Sequence, residues 1–424
     1  MNGQESIAYI HSFNWQKHAP GLDRIRALLA ALDSPQKALK FIHVAGTNGK
    51  GSTCAMLASV LQAAGFRVGL NTSPHLVDFT ERIRINGEPV SEAALANLVD
   101  RIRPIVESME DHPTEFELIT ALALLYFQEQ LCDIVVLETG LGGELDASNV
   151  IDTPEVAILT AMGMDHVAQL GPTLENIAAA KAGIIKQGGE VVSYGGCPPA
   201  DAVFHRVCRE RSARLTETDF TRIRVREARL SGTRFDILPH EDLQMSLAGD
   251  YQVFNAAVAV TALEALRQRG WEISEGAIRT GLARVEWPGR LELLREKHPM
   301  FLLDGAHNAN GMAAAAKSLR LLLPGKKLVL LLGMMSDKEI PKMLDLVLPL
   351  AEAAVTVTPN SPRGMGAEAL RQLILARGIP VHACVSIAEA VRTAAAAAGR
   401  DGAVCALGSL YLSGDVRQAV KDLL

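Results

Sequence analysis

The chain has 424 residues, 48% hydrophobic and 21% charged, a length that predicts two or three domains with sizeable cores. A net charge of -6 excludes a global basic field for nucleic acid, so any phosphate must be held locally. Six scattered cysteines make no CxxC pair or short disulfide framework, the amino terminus has no basic segment followed by an apolar core, and no apolar run approaches a membrane span; the expectation is a reducing cytoplasm and no membrane.

In chain order, "KFIHVAG" (40–46) is a short apolar run suited to a buried strand. Residues 53–64 then place Met56, Leu57, Val60 and Leu61 at helical spacing, with Gly65 as the stop. The intervening "GTNGKGS" lies between a strand and a helix N-terminus, where backbone N–H groups and the helix dipole favour an anion. Only Thr47 and Asn48 separate Gly46 from Gly49, and Gly51 intervenes before Ser52, so the spacing differs from the common nucleotide loop. Phosphate binding and a glycine-rich turn of no chemical role are both compatible with that pattern.

Buried-strand patterns follow at 133–140, "DIVVLETG", and 155–163, "EVAILTAMG", in the rhythm of a parallel sheet. From about 215 to 248 polar and apolar residues alternate around a Ser-Gly turn, which predicts an antiparallel add-on to the first domain. The Pro-Gly break in "VEWPGRLE" (285–292) marks the boundary, and five further apolar runs beyond it, each followed by a helical stretch, predict a second, smaller α/β unit. The expectation is therefore a two-domain α/β protein: a P-loop-type domain over 1–286 with a mostly parallel sheet, a linker over 287–295, and a Rossmann-like domain over 296–424.

Candidate chemistry collects at the carboxyl ends of these strands, where open α/β sheets bind ligands. Gly46, Gly49 and Gly51 permit close backbone approach to phosphate, Lys50 supplies a point charge and Ser52 a hydroxyl. Glu138 ends one strand, Asp165 and His166 follow the next, and Asp304, His307 and Asn308 end a run in the second domain. A carboxylate, an imidazole and a serine suit Mg²⁺, which takes few protein ligands and completes its shell with phosphate oxygens. Lys181 sits in an otherwise apolar helical stretch, where a lone lysine ordinarily snorkels to solvent.

The ordered set "GLDR", "HVAGTNGKGS", "SPHL", "ERIRING", "LETGLGGELDASNV", "MDHVAQLGPTLENIAAAKAGI", "GDYQVFNA", "WPGRLE", "LLDGAHN" and "GSLYLSGDVR" resembles, nearly end to end, the folylpolyglutamate synthase and dihydrofolate synthase family, relatives of the Mur ligases. The resemblance implies an enzyme that uses MgATP to join glutamate to a carboxylate through an acyl phosphate, acting on 7,8-dihydropteroate and reduced folates. It implies an ATP site at Gly49, Lys50, Gly51, Ser52, Asn255, Arg290 and Asp304, and two magnesium ions held by Ser73, Glu138, His166 and a carbamylated Lys181. It also implies His307 near the reaction centre, a pterin or folate site at Gly21, Leu22, Asp23, Arg24, Glu115, Phe116 and Glu117, and a cytoplasmic monomer with no nucleic-acid or membrane partner.

Three positions depart from the family pattern: Glu144 stands where arginine is usual, Ala180 replaces a glutamate, and Ala309-Asn310 alters the continuation of "AHN". They keep open a polyglutamate synthase of single function, a Mur-type ligase for another acid, and a nucleotide-binding paralog without turnover.

Overall fold

The computed structural model describes residues 1–13 and 21–423. They divide into two compact units: Met1–Thr221 with Asn255–Val285, and Arg222–Phe254 with Glu286–Leu424. Both are α/β, built mainly on parallel sheets.

The first unit contains β1 (Phe41–Ala45), β2 (Val68–Asn71), β3 (Ile83–Ile85), β4 (Glu88–Pro89), β5 (Ile134–Glu138), β6 (Val156–Leu159), β7 (Glu190–Ser193) and β8 (Arg214–Glu217). Their order is β4-β3-β2-β5-β1-β6-β7-β8, parallel from β2 to β8 and antiparallel at the β3 and β4 edge. Every residue of β1 and β5 is buried because helices cover both faces, which is why these strands read as unbroken apolar runs. Two apolar clusters do the covering, one including Leu28, Leu122 and Phe127 and the other including Ala178, Ile185 and Phe204. The chain leaves β1 for β2 on one side and places β6 on the other, so the sheet reverses its winding at β1, the switch point where such folds bind ligands.

The second unit holds two sheets. One is antiparallel, β9 (Ile223–Arg229), β10 (Gly232–Ile237) and β11 (His240–Met245). The other comprises β12 (Glu292–Arg295), β13 (Met300–Leu303), β14 (Leu328–Leu332), β15 (Ala353–Thr356), β16 (Val381–Ala383) and β17 (Ala403–Leu407), in the order β12-β13-β17-β14-β15-β16, parallel except for β12. In β14, Leu328, Leu330 and Leu332 enter one core and Val329 and Leu331 the other, the period-two signature of a strand packed on both faces.

The structure corrects four details of the sequence reading. The helix after β1 runs Lys50–Ala63, starting three residues before the apolar periodicity does, because its first turn is polar. Residues 214–217 form β8 of the parallel sheet, pairing with β7, whereas the alternating texture there suggested the antiparallel add-on. That add-on has three strands and falls with the second unit instead of the first. Residues 292–295 of the expected linker are β12, whose half-buried residues form an edge strand beside β13.

Candidate active site

Four adjacent strands, β2, β5, β1 and β6, deliver their carboxyl ends to one edge of the first sheet. From β1 the chain enters the loop Gly46–Gly49 and then the helix Lys50–Ala63, whose first printed α-helical bond from the loop side is Thr53 N–H to the Gly49 carbonyl. The amides of Lys50, Gly51 and Ser52 precede that bond, so they lie in the part of a helix that has no intrahelical acceptor. The loop is fixed from β6: the Thr47 and Asn48 amides both donate to the Ala161 carbonyl at 3.1 Å, and Thr47 Oγ1 donates to the Gly163 carbonyl at 3.0 Å.

Two glycines are obligatory here. Gly49 has φ +85°, and a Cβ on it would come 2.4 Å from Asn255 Oδ1. At Gly46 a Cβ would come 1.8 Å from Thr160 Oγ1. The loop therefore sits directly on two buried polar side chains, Thr160 and Asn255. Sequence reasoning picked Asn255 by resemblance and missed Thr160, whose partner lies more than a hundred residues away and leaves no local pattern.

Two lysines converge on this loop. Lys50 Nζ donates to the Gly46 carbonyl at 3.2 Å, and Lys181 Nζ donates to the same oxygen at 2.7 Å. Lys181, from the helix Leu174–Ala182, is 5% exposed, so it is not the snorkelling residue that its sequence context suggested. Burial, and next the charge of Lys50, lower its pKa from 10.5 to about 7, against the opposing pull of Asp165 and Asp146. One carbonyl oxygen thus faces two amines that repel each other, an arrangement that an anion on the loop would relieve.

Glu138 ends β5 as a buried carboxylate and accepts the Ser73 backbone N–H at 3.1 Å, joining the ends of β5 and β2. After β6, Asp165 is buried and accepts the His166 amide at 2.9 Å, while His166, at φ +50°, is exposed. Among the described residues no three His, Cys, Asp or Glu side chains gather closely enough to hold a metal ion alone. The oxygen-rich edge fits an ion that draws most of its ligands from phosphate and water, as Mg²⁺ does.

The residues singled out for folate lie on other elements of the same unit. Arg24 makes a two-pronged contact with Glu117, Nε to Oε2 at 3.1 Å and Nη2 to Oε1 at 3.2 Å, and pairs with Asp111 at 3.5 Å. Glu117 is buried and also closes the capping box of its helix with Thr114, so the GLDR segment is clamped to the start of the helix Glu115–Glu129. Glu115 Oε1 meets His11 Nδ1 at 3.1 Å. The Phe116 ring covers Gly140, where a Cβ would come 2.6 Å from Cζ. Leu22 is buried and Gly21 half-buried, whereas Asp23 points to solvent and pairs only loosely with Arg26, at 3.7 Å.

Of the departures, Glu144 and Asn310 are exposed and Ala180 is half-buried. The backbone around Glu144 is nevertheless fixed, its amide donating to the Ala180 carbonyl at 2.8 Å. The reversed charge thus changes the field near the site without being buried in it.

In the second unit Asp304 follows β13 and is buried. Its oxygens accept from the Tyr251 hydroxyl, the Leu291 amide and the Ala306 amide, each at 2.8 Å. Burial raises its carboxyl above the ordinary range, against the pull of Arg290. Arg290 crosses Gly305, where a Cβ would meet Nη1 at 2.2 Å, and donates to the Gly289 carbonyl at 3.1 Å. His307 Nδ1 lies 2.8 Å from the Gly305 carbonyl, which only accepts, so Nδ1 carries the proton and Nε2 the lone pair of the neutral ring. Asn308 caps the helix Ala309–Leu322 through the Gly311 amide.

Comparison with known proteins agrees with this geometry. Residues 44–263 match the Mur ligase middle domain, and residues 289–410 match the Mur ligase glutamate ligase domain. The chain is 36% identical to a dihydrofolate synthase/folylpolyglutamate synthase of Bacillus subtilis, and 38% identical to a folylpolyglutamate synthase of Lacticaseibacillus casei, with 99% of each chain covered in both cases. Among solved structures, Escherichia coli FolC in complex with DHPP and ADP superposes with a TM-score of 0.87 at 30% identity, covering 100% of this chain and 98% of that one.

Proposed function

The chain belongs to the folylpolyglutamate synthase/dihydrofolate synthase family of Mur ligases, and from that membership we propose that it adds L-glutamate to both 7,8-dihydropteroate and reduced folates. It is an ATP-dependent, amide-forming ligase acting on folate-type acids. The observation that supports the reading most directly is the pair of amines, Lys50 and Lys181, on the single carbonyl of Gly46 at a helix N-terminus. That cation-rich loop suits a triphosphate.

In this reading Gly49, Lys50, Gly51, Ser52 and Asn255 hold ATP, with Arg290 and Asp304 of the second unit as further contacts. Lys50 leaves the Gly46 carbonyl for the phosphates and stabilises negative charge on the transferred group. Ser73, Glu138 and His166 hold magnesium, which supplies charge neutralisation on the phosphate oxygens. An oxygen of the acceptor carboxylate takes the γ-phosphoryl group and ADP leaves; the uncharged amine of glutamate then attacks the acyl carbon and phosphate leaves. His307 places the incoming glutamate.

Lys181 is suited to carbamylation because that reaction needs a neutral amine, and an amine of pKa about 7 is half neutral at physiological pH. Its nitrogen bonds to CO₂ and loses a proton, turning a cation into an anion able to hold a second magnesium ion. The Arg24 and Glu117 clamp and the Phe116 ring mark the folate site, together with Gly21, Leu22, Asp23 and Glu115. Retention of the GLDR segment favours dual specificity over a dedicated polyglutamate synthase. We assign ATP and folate binding to 1–286 and glutamate ligation to 296–424, in a cytoplasmic monomer. No described helix is long and apolar enough to cross a membrane.

The test is incubation of the protein with MgATP and glutamate, offering 7,8-dihydropteroate or a tetrahydrofolate in separate reactions, with products identified by mass. One glutamate added to each acceptor is expected. Addition only to tetrahydrofolate removes the dual specificity, and addition to neither by a folded ATP-binding protein removes the reading itself.

A further inference from the structure

His43 lies in the middle of β1, three residues before the phosphate loop begins, and is completely buried. Its Nε2 is 2.8 Å from Ser148 Oγ. Ser148 Oγ is in turn in a short hydrogen bond to Asp146 Oδ1. Asp146 also accepts the backbone N–H groups of Ser148 at 3.0 Å and Leu141 at 2.8 Å, as well as that of Gly140. A carboxyl surrounded by so many donors acts as the acceptor, so the single Ser148 hydroxyl proton points to Asp146. Ser148 can then only accept from His43, and the ring proton must be on Nε2. Nδ1 is buried with no hydrogen-bond partner, which an acceptor tolerates better than a donor does.

The same loop is fixed at other points. Asn149 Nδ2 donates to the carbonyls of Glu144 at 3.0 Å and Gly183 at 3.2 Å. Gly143 lies so close to the helix bearing Lys181 that a Cβ would come 2.7 Å from the Lys181 carbonyl. Gly140, at the start of the loop, is the surface on which the Phe116 ring rests. Residues 140–149 thus connect the strand carrying Glu138 to the helix carrying Lys181 and to Phe116, and the His43, Ser148 and Asp146 chain ties them to the central strand.

We propose that His43 is a positioning residue for the folate acceptor: its neutral, Nε2-protonated ring orients Ser148 and Asp146, which hold the 140–149 loop beneath Phe116. This rests on the reading of Phe116 as part of the folate site. Burial, and next the charge of Lys186, lower the His43 pKa to about 3, so the ring stays neutral and keeps this donor throughout the working pH range. A solvent-exposed imidazole would lose its fixed role on protonation. A serine or amide at position 43 would be too short or would expose an extra polar group to the core.

The test combines ¹⁵N NMR of histidine-labelled enzyme with steady-state kinetics of His43→Leu, His43→Gln, Ser148→Ala and Phe116→Ala. The spectrum should show an Nε2-protonated ring that does not titrate between pH 5 and 8; an Nδ1-protonated or titrating ring overturns the proposal. Loss of a charge-linked hydrogen bond predicts that His43→Leu and Ser148→Ala raise the acceptor KM about tenfold while the ATP KM stays within about twofold. Gln places an amide donor near Nε2, so His43→Gln should recover most of the loss. Equal rises in both KM values, or lowered thermal stability with unchanged KM, would make His43 a packing residue only. Ser148→Ala breaks the chain without touching the ring and decides the matter if His43→Leu does not fold. An unchanged acceptor KM in Phe116→Ala overturns the folate-site reading and the proposal with it, whereas a rise there but not in His43→Leu or Ser148→Ala overturns the proposal alone.

Discussion

The two parallel sheets both end in polar residues at their carboxyl edges, yet they treat charge in opposite ways. In the first unit two amines share the Gly46 carbonyl, with one of them, Lys181, buried among groups that do not neutralise it. In the second unit the buried carboxylate Asp304 has a hydroxyl, two amides and Arg290 gathered around it. An under-neutralised cluster has charge to offer a ligand, whereas a saturated carboxylate fixes the backbone around it. The difference separates an edge suited to chemistry from one whose best-resolved feature is architectural.

The sharpest way to break that comparison is Lys50→Ala. Removal of a charge aimed at the transferred phosphoryl group should lower kcat by about 10³-fold or more with the melting temperature nearly unchanged. Ligation at a near wild-type rate would take Lys50 out of the mechanism.

Lys181 should show the next largest effect, and its sign is set by its pKa of about 7. Between about pH 7 and 10.5 the unfolded chain holds a proton that the native lysine has shed, so this group makes stability rise with pH across that window. Below about pH 7 the cost of burying the ammonium is present in full. If carbamylation is required, activity in CO₂-depleted buffer should fall as pH drops through 7 and return on adding bicarbonate. An activity indifferent to bicarbonate would leave Lys181 as a loop anchor.

Glu138→Gln preserves the shape of the side chain and its contact to the Ser73 amide while removing the charge. The expected outcome is a magnesium requirement shifted upward about tenfold or more, read from activity against Mg²⁺ concentration. An unchanged requirement would move the metal away from the end of β5.

Sequence patterns made the contrast between the edges only partly visible. Continuous apolar runs exposed β1, β5, β6 and the parallel strands of the second unit because those strands are covered on both faces. β4 and β8 were illegible for the opposite reason: β4 is two exposed residues ending in Pro89, and β8 is a largely open edge strand with no core pattern to display. The glycine loop was recognisable from its place between strand and helix, but its dependence on Thr160 and Asn255 is a tertiary fact. His43 was hidden for a similar reason, since one histidine inside an apolar run is indistinguishable from a core residue until Ser148 is brought against it. Conversely, Lys181 looked like a snorkelling side chain because the sequence cannot show that its helix is packed down over the loop.

The smallest effect belongs to the second edge. Tyr251→Phe removes one donor from Asp304 Oδ2, which keeps the Leu291 amide, and leaves the ring volume unchanged. A hydrogen bond to a charged group contributes about 1.5–3 kcal/mol, so thermal or denaturant unfolding should register the loss. If Asp304 mainly fixes the turn that carries Arg290 and His307, kcat should stay within about threefold of wild type, since the remaining donors preserve that turn. The pairing of the variants then isolates the distinction: Lys50→Ala should lose turnover and keep stability, and Tyr251→Phe should lose stability and keep turnover. A Tyr251→Phe enzyme as inactive as Lys50→Ala, yet as stable as wild type, would move Asp304 and its partners from the architecture into the chemistry, and the two edges would have to be treated as halves of one catalytic device.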